Sequence, residues 1–407
     1  MERGKNTEVH TEPRDAYKIA YVIHFLLGAG NLIPWNALIT AIDYFGSMYS
    51  TRHVEKVFSV AYMTSSVLVL VVMISWGSNL SRKLTFRLRM NIGFSMFILS
   101  IMASPIIDWA WFSKQSRVRS ATDFNLVVAA VIFCGLADGL IGGSLIGSSG
   151  NLPKQYMQAV FAGTASSGVL VSILRIITKA AVPHSPQGLR TSAHFYFIFS
   201  TVILLTCLVC CNLLHKLPIM QEHKKFQQHN LPSTSPKFWD VVRIIRWPAF
   251  GIFMIYTVTL SIFPGFLAEN VQSNILGDWY PLLLITAYNV SDLAGKSFTA
   301  IYVLKGIRKA TWGSISRLLF YPLFTVCLHG SKWMKTEVPV IFLTFMLGLT
   351  NGYLTSVIMI QAPKSVSPSE AEVAAVVMAL FLGLGLVAGS VVGCSISLSL
   401  TKTRWIV

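Results

Sequence analysis

Charged residues are scarce in this chain of 407 residues. Asp, Glu, Lys and Arg together make up 12%, against about 25% in an ordinary soluble domain. Acids are the scarcer half, 17 against 33 basic residues. With 53% hydrophobic residues and a mean hydropathy of +0.59, this deficit argues against a soluble globular protein and makes the lipid bilayer the main solvent. Cysteine is also sparse. The six lie within apolar runs and lack paired extracellular spacing, which argues against a disulfide framework. "CLVCC" (207–211) reads as small apolar residues in a membrane helix, with palmitoylation as the alternative. Metalloprotease HExxH and hydrolase GxSxG motifs are missing from the apolar runs, and His24 belongs to no His/Asp cluster there, so no enzyme chemistry, metal or cofactor is expected. No soluble repeat of about 20–50 residues occurs. The first apolar stretch follows a polar leader (1–16) and is too long for a signal-peptide core, so it reads as a retained span.

What is present is a series of long apolar runs. About 20 apolar residues cross the hydrocarbon core as a helix. Eleven candidates meet that measure: 17–42, 54–77, 89–108, 124–147, 157–181, 193–214, 247–268, 279–304, 313–328, 337–360 and 373–400. The ninth is short but is bounded by "KGIRKATWG" and "HGSKWMK". The net charge of +16 comes mostly from residues between these runs, which points to anionic lipid rather than nucleic acid. With the N-terminus in the cytoplasm, Lys and Arg fall about two to one on the cytoplasmic side. An odd number of spans then puts the C-terminus outside. The one long connection, 215–246, is polar and basic. It splits the chain into an N-terminal lobe of six spans (17–214) and a C-terminal lobe of five (247–407). The expected fold class is an all-α polytopic membrane protein with 11 transmembrane helices in 6+5 lobes, a layout that suits a transporter with its site between the lobes.

Ionisable residues inside spans are costly and therefore mark function. In "ITAYNVSDLAGKSFTA", Asn289, Asp292 and Lys296 fall at i, i+3 and i+7 on one helix face. Asp292 and Lys296 can pair along the helix, either as a buried structural pair or as the lining of a cavity. "AGKS" is not a phosphate loop, because position 290 is Val where the motif needs Gly. In spans four and five, Asp138 has no partner on its own helix. Arg175, on the next span with Lys179 at i+4, is the candidate to pair with it. Gly139, Gly142, Gly143 and Gly147, like Gly385, Gly389 and Gly393, read as close-packing positions. In span one, "GAGNLIPWN" puts Pro34 where it frees a backbone carbonyl. Trp35 lies too deep for an interfacial anchor and suits stacking on a planar ligand. Asn31 and Asn36 read best as links between helices.

At these residues the chain resembles a known family. "GNLIPWNALITAIDYF", "YNVSDLAGKS", "GLADGLIGGSLIG" and "GTASSGVLVSILRIITKAA" are similar, in order, to first-, eighth-, fourth- and fifth-span motifs of the equilibrative nucleoside transporters, the plant branch in particular. The resemblance implies a major-facilitator-like, alternating-access carrier of purine and pyrimidine nucleosides. It makes Asp292 the ribose-binding acid and Lys296 its basic partner, and it puts Trp35, Leu32 and Ile39 beside the substrate. One departure is clear: where animal members carry a Gln that contacts the base, this chain has Gly142.

These readings set the expectations tested below. The substrate site comprises Trp35, Asp292, Lys296, Asn289, Leu32 and Ile39. Asp138 and Arg175 are candidates for proton coupling or for structure. The partners are a nucleoside, membrane lipid and, in the coupled reading, protons. The location is the plasma membrane. A strictly facilitative nucleoside or nucleobase carrier and a receptor without net flux are the alternatives, and an ion channel lacks the expected rings of charge.

Overall fold

The computed structural model describes residues 18–49, 54–75, 84–112, 121–183, 185–222, 238–263, 273, 275–329 and 336–404. The leader 1–16 lies outside the described residues, as does the middle of the expected linker, 223–237. The described chain is all helical: α1 (Ile19–Thr40), α2 (Ile42–Met48), α3 (Val54–Ser75), α4 (Phe86–Phe112), α5 (Ala121–Gly150), α6 (Lys154–Ala181), α7 (Pro186–Leu214), α8 (Phe238–Ile262), α9 (Tyr280–Phe298), α10 (Ile307–Ser316), α11 (Phe320–His329), α12 (Glu337–Gln361) and α13 (Ala371–Arg404). Helices satisfy their own backbone groups, which lipid cannot do. Hydroxyls within them bond back one turn, as Ser200 does to the Tyr196 carbonyl and Thr344 to that of Val340.

Nine of the described helices are long and apolar enough to cross a membrane. Two expected spans are not among them. Helix α9 has 19 residues, and Asn289, Asp292 and Lys296 dilute its hydropathy. The expected span 313–328 falls on α10 and α11, joined by a single 3₁₀ turn at Arg317–Leu319.

Two boundaries differ from expectation. The linker 215–246 ends in helix, because α8 begins at Phe238. Val241 and Ile245 are fully buried while Trp239 and Ile244 face outward, so an amphipathic turn precedes the apolar run. Helix α7 begins at Pro186 with Ser185 as its N-cap, the Ser185 hydroxyl accepting from the Gly188 N–H at 3.0 Å. Arg190, expected in a loop, therefore lies on α7 and pairs with Asp108 of α4, an acid only 4% exposed.

Helices α1–α7 share one aromatic-rich core that includes Phe45, Phe58, Phe94, Phe97, Tyr156 and Phe197. Helices α8, α10, α12 and α13 build a second, which also takes in Leu70, Ile146, Met157 and Phe161 from the N-terminal group. A third core gathers Ile262, Tyr280, Leu284, Phe324 and Leu347. The two groups meet along α6–α9 and where α13 lies on α3 and α5. Gly385, Gly389 and Gly393 let α13 lie against the α8 backbone, as expected.

Candidate functional site

A cavity of about 310 Å³ lies between the two groups. This is at the lower end of the size of small-molecule sites, roughly 300–1,000 Å³. Helix α1 supplies Asn31, Leu32, Trp35, Asn36 and Ile39, and α9 supplies Asn289, Asp292 and Lys296. All six expected substrate residues thus border one space, and so do Asp138 and Arg175.

Contacts between helices mark both ends of the cavity. At one end Gly147 and Gly150 of α5 meet Val376, Glu372 and Ala375 of α13, and Arg89 of α4 pairs with Glu372 at 3.6 Å. At the other end the lining includes Thr40, Arg175 and Leu282. There Arg175 pairs at 3.0 Å with Asp43 of α2, whose side chain is 58% exposed. Lys179 sits 5.1 Å from the Trp279 ring, a cation–π contact that spans the two groups.

The wall formed by the C-terminal group is built around Asp292. Lys296 Nζ lies 2.9 Å from its Oδ2, one turn along the same helix, and both side chains are buried. Asn351 Nδ2 of α12 donates to Oδ1 at 2.7 Å. This approach requires close packing of α9 on α12. Glycines permit it: a side chain at Gly352 would strike the Asp292 carbonyl, and one at Gly295 the Leu349 carbonyl. Behind Asn351, Thr259 donates to Asn351 Oδ1 at 2.9 Å, and Arg317 Nη2 donates to Thr259 Oγ1 at 2.9 Å and to the Leu347 carbonyl at 3.0 Å. Arg317 Nη1 bonds the Ile255 carbonyl at 3.0 Å. Arg317, 2% exposed, heads the largest fully buried side chains. Arg317, Thr259 and Asn351 were not among the sequence-level candidates. An Arg in an apolar run was the available signal, but the 3₁₀ break hides its helix among basic flanks.

Asn289 does more than line the cavity. Its Nδ2 donates to Ser172 Oγ at 2.8 Å and to the Gly168 carbonyl at 3.2 Å, tying α9 to α6. Lys296 Nζ reaches Thr164 Oγ1 of α6 at 3.4 Å.

On the N-terminal wall, Trp35 packs on Tyr62 with ring centroids 4.7 Å apart, and Tyr62 adjoins Asp138. Ser66 donates to Asp138 Oδ2 at 2.7 Å. The expected Asp138–Arg175 pairing is not made, because Arg175 is taken by Asp43. Among the described residues no cation pairs with Asp138. Asn36 is a helix link, donating to Ser167 Oγ at 2.9 Å. Asn31 is not: its Oδ1 is buried and accepts no hydrogen bond. Gly142 also departs from the close-packing expectation. A side chain at Gly139 would strike the Ser66 carbonyl, whereas one at Gly142 would meet only the Asn31 amide, at 3.5 Å and beyond.

Comparison with known proteins agrees with this architecture. The family model described as "Nucleoside transporter" matches residues 128–237 and 227–398. Equilibrative nucleotide transporter 8 of Arabidopsis thaliana is 63% identical over 94% of this chain and 96% of its own. Equilibrative nucleotide transporter 1 of the same plant is 46% identical over 93% of this chain and 86% of its own. Among solved structures, the major facilitator superfamily proton:xylose symporter XylE superposes with a TM-score of 0.64 over 97% of this chain and 91% of its own, at 12% identity. A bacterial homologue of the iron transporter ferroportin in an outward-facing state gives 0.64 over 93% and 92%, also at 12%. The fold is that of a multi-pass membrane transporter, and the chain belongs to the nucleoside transporter family.

Proposed function

We propose that the chain is a carrier, not an enzyme, moving nucleosides across the plasma membrane by alternating access, with eleven spans in six-plus-five lobes. The observation that carries this reading is the buried Asp292–Lys296 pair, fixed by Asn351 and facing a cavity between two helix groups. An ionised carboxylate has about four acceptor positions, and Lys296 and Asn351 occupy two of them. The remaining ones face the cavity, where ribose hydroxyls can donate to them. Bonds to a charged acceptor are roughly twice as strong as neutral ones. Lys296 pairs with Asp292 and orients it, and Trp35, backed by Tyr62, offers a flat surface for the base.

Charge favours nucleosides over nucleotides. The cavity's two cations are both matched, Lys296 by Asp292 and Arg175 by Asp43. Asp138 adds a further acid. A phosphate entering this space finds no unmatched basic group among the described lining residues. With the N-terminus cytoplasmic, the Arg89–Glu372 end faces the cytoplasm and the Arg175–Asp43 end faces outward.

Uptake of labelled adenosine by oocytes expressing the chain tests the reading. Saturable uptake should be nearly abolished by Asp292→Asn with surface expression unchanged. Wild-type uptake by that variant would sink the role given to Asp292.

Proton coupling is a second reading, favoured by Asp138. It borders the cavity with Tyr62 and Ser66 of α3 and Cys134 of its own helix, and no cation pairs with it among the described residues. A carboxylate so placed can take up a proton without breaking an ion pair. Uptake should then rise at acidic external pH and become indifferent to pH in Asp138→Asn. Wild-type uptake indifferent to pH would leave a facilitative carrier.

A further inference from the structure

We propose that Asn31 is the residue that reads the nucleobase, through the space left open by Gly142. The proposal rests on the nucleoside reading of the cavity and adds a specificity residue to it. Asn31, Trp35 and Ile39 recur every fourth residue on α1 and so share the face that borders the cavity. A sugar held at Asp292 leaves its base to extend toward that opposite wall. Other amides and acids bordering the cavity are engaged: Asn36 donates to Ser167, Asn289 to Ser172 and Gly168, and Asp138 accepts from Ser66. Asn31 differs, because its Oδ1 is buried without a donor. A buried acceptor left unpaired is destabilised until something donates to it.

The second observation is independent of the first. A side chain added at Gly142 would meet nothing but the two polar atoms of the Asn31 amide, Nδ2 at 3.5 Å and Oδ1 at 3.7 Å. The other glycines of this stretch abut neighbouring helices: Gly139 faces Ser66 and Val69, and Gly143 faces Leu70 and Met73. Gly142 alone of the three leaves free volume, and the amide faces that volume.

A primary amide presents a donor and an acceptor side by side, and turning it over exchanges the two. One face matches the amino group and ring nitrogen of adenine or cytosine, the other the carbonyl and N–H of uracil or guanine. Asn31 can thus serve purines and pyrimidines at one site without a second reader.

The test compares adenosine with purine riboside, which lacks the 6-amino group, and with 3′-deoxyadenosine, which lacks one ribose hydroxyl. Apparent KM for each is measured in oocytes with surface expression quantified. The wild type should favour adenosine over purine riboside by about three- to ten-fold, the effect of one neutral hydrogen bond. In Asn31→Leu, similar in volume but without the amide, that preference should fall to about one-fold, since no neutral hydrogen bond remains to discriminate. The preference over 3′-deoxyadenosine should persist. Gly142→Val approaches the same contact from the neighbouring helix α5 and should give the same collapse, which decides the matter if Asn31→Leu fails to reach the membrane. Base preference retained in a transporting Asn31→Leu or Gly142→Val, or absent from the wild type, overturns the assignment and leaves the nucleoside carrier standing. Wild-type protein at the surface that takes up no nucleoside overturns the carrier reading itself, and this inference with it.

Discussion

Asn351 donates a 2.7 Å hydrogen bond to Asp292 Oδ1 while Lys296 holds Oδ2 at 2.9 Å, so two different helices fix one buried carboxylate. Arg317 stands behind this arrangement, bonded to the Thr259 hydroxyl that in turn donates to Asn351. The acid is therefore held from its own helix and from α12, with α8 and the Arg317 turn as support.

Replacing Asn351 by Leu removes one of the two anchors and leaves the ion pair. A hydrogen bond to a charged group contributes about 1.5–3 kcal/mol, so adenosine uptake efficiency should fall by roughly ten- to a hundred-fold. Uptake kinetics normalised to surface protein measure this. An unchanged KM and maximal rate would mean that Lys296 alone orients Asp292.

Lys296→Met leaves Asp292 buried without its cation. Breaking a buried pair from one side costs about 3–5 kcal/mol, so the thermal midpoint of the detergent-solubilised protein should drop sharply. Asp292→Asn combined with Lys296→Met removes both charges and should recover most of the stability without recovering transport. Equal instability of the single and double variants would show that the pair's charges are not what destabilises the single variant.

Arg317 serves four acceptors from one planar group: the carbonyls of Ile255 and Leu347, the Thr259 hydroxyl and, at 3.4 Å, Asn351 Oδ1. Lys is a point charge on a flexible stem and cannot reproduce that fork. Arg317→Lys should therefore lower thermal stability nearly as much as Arg317→Met. A midpoint for Arg317→Lys close to that of the wild type would reduce Arg317 to a simple charge.

Gly139→Ala and Gly142→Ala look alike in sequence and should behave differently. The first methyl strikes the Ser66 carbonyl and forces α5 from α3, whereas the second reaches only ordinary contact with Asn31. Overpacking of that kind costs about 1–3 kcal/mol. Expression and thermal midpoint should fall for Gly139→Ala and hold for Gly142→Ala, and equal losses would contradict the difference in spacing.

Much of this was readable along the chain. The shortage of charge and the length of the apolar runs dictate helices in a bilayer, because no other open structure satisfies its backbone there. The spacing of Asp292 and Lys296 is local, so their pairing followed from helical periodicity alone. The placing of Leu32, Trp35 and Ile39 beside the cavity was legible only through the family resemblance, not through periodicity.

The rest depended on which helices lie side by side, and no single-helix pattern contains that information. Asp138 and Arg175 looked like partners because they are the unmatched charges of adjacent spans. Packing gives Arg175 to Asp43 on the short helix α2 and Asp138 to the hydroxyl of Ser66. Arg317, Thr259 and Asn351 lie 58, 92 and 34 residues apart pairwise and become one network only when α8, α12 and the Arg317 turn converge. Gly139 and Gly142 share a composition, but only tertiary structure decided which faces a backbone and which faces open space. Sequence determined the solvent, the helices and the pairs within a helix. Tertiary structure decided the partners between helices, because side-chain contact at that range is set by the angle and depth at which whole helices cross.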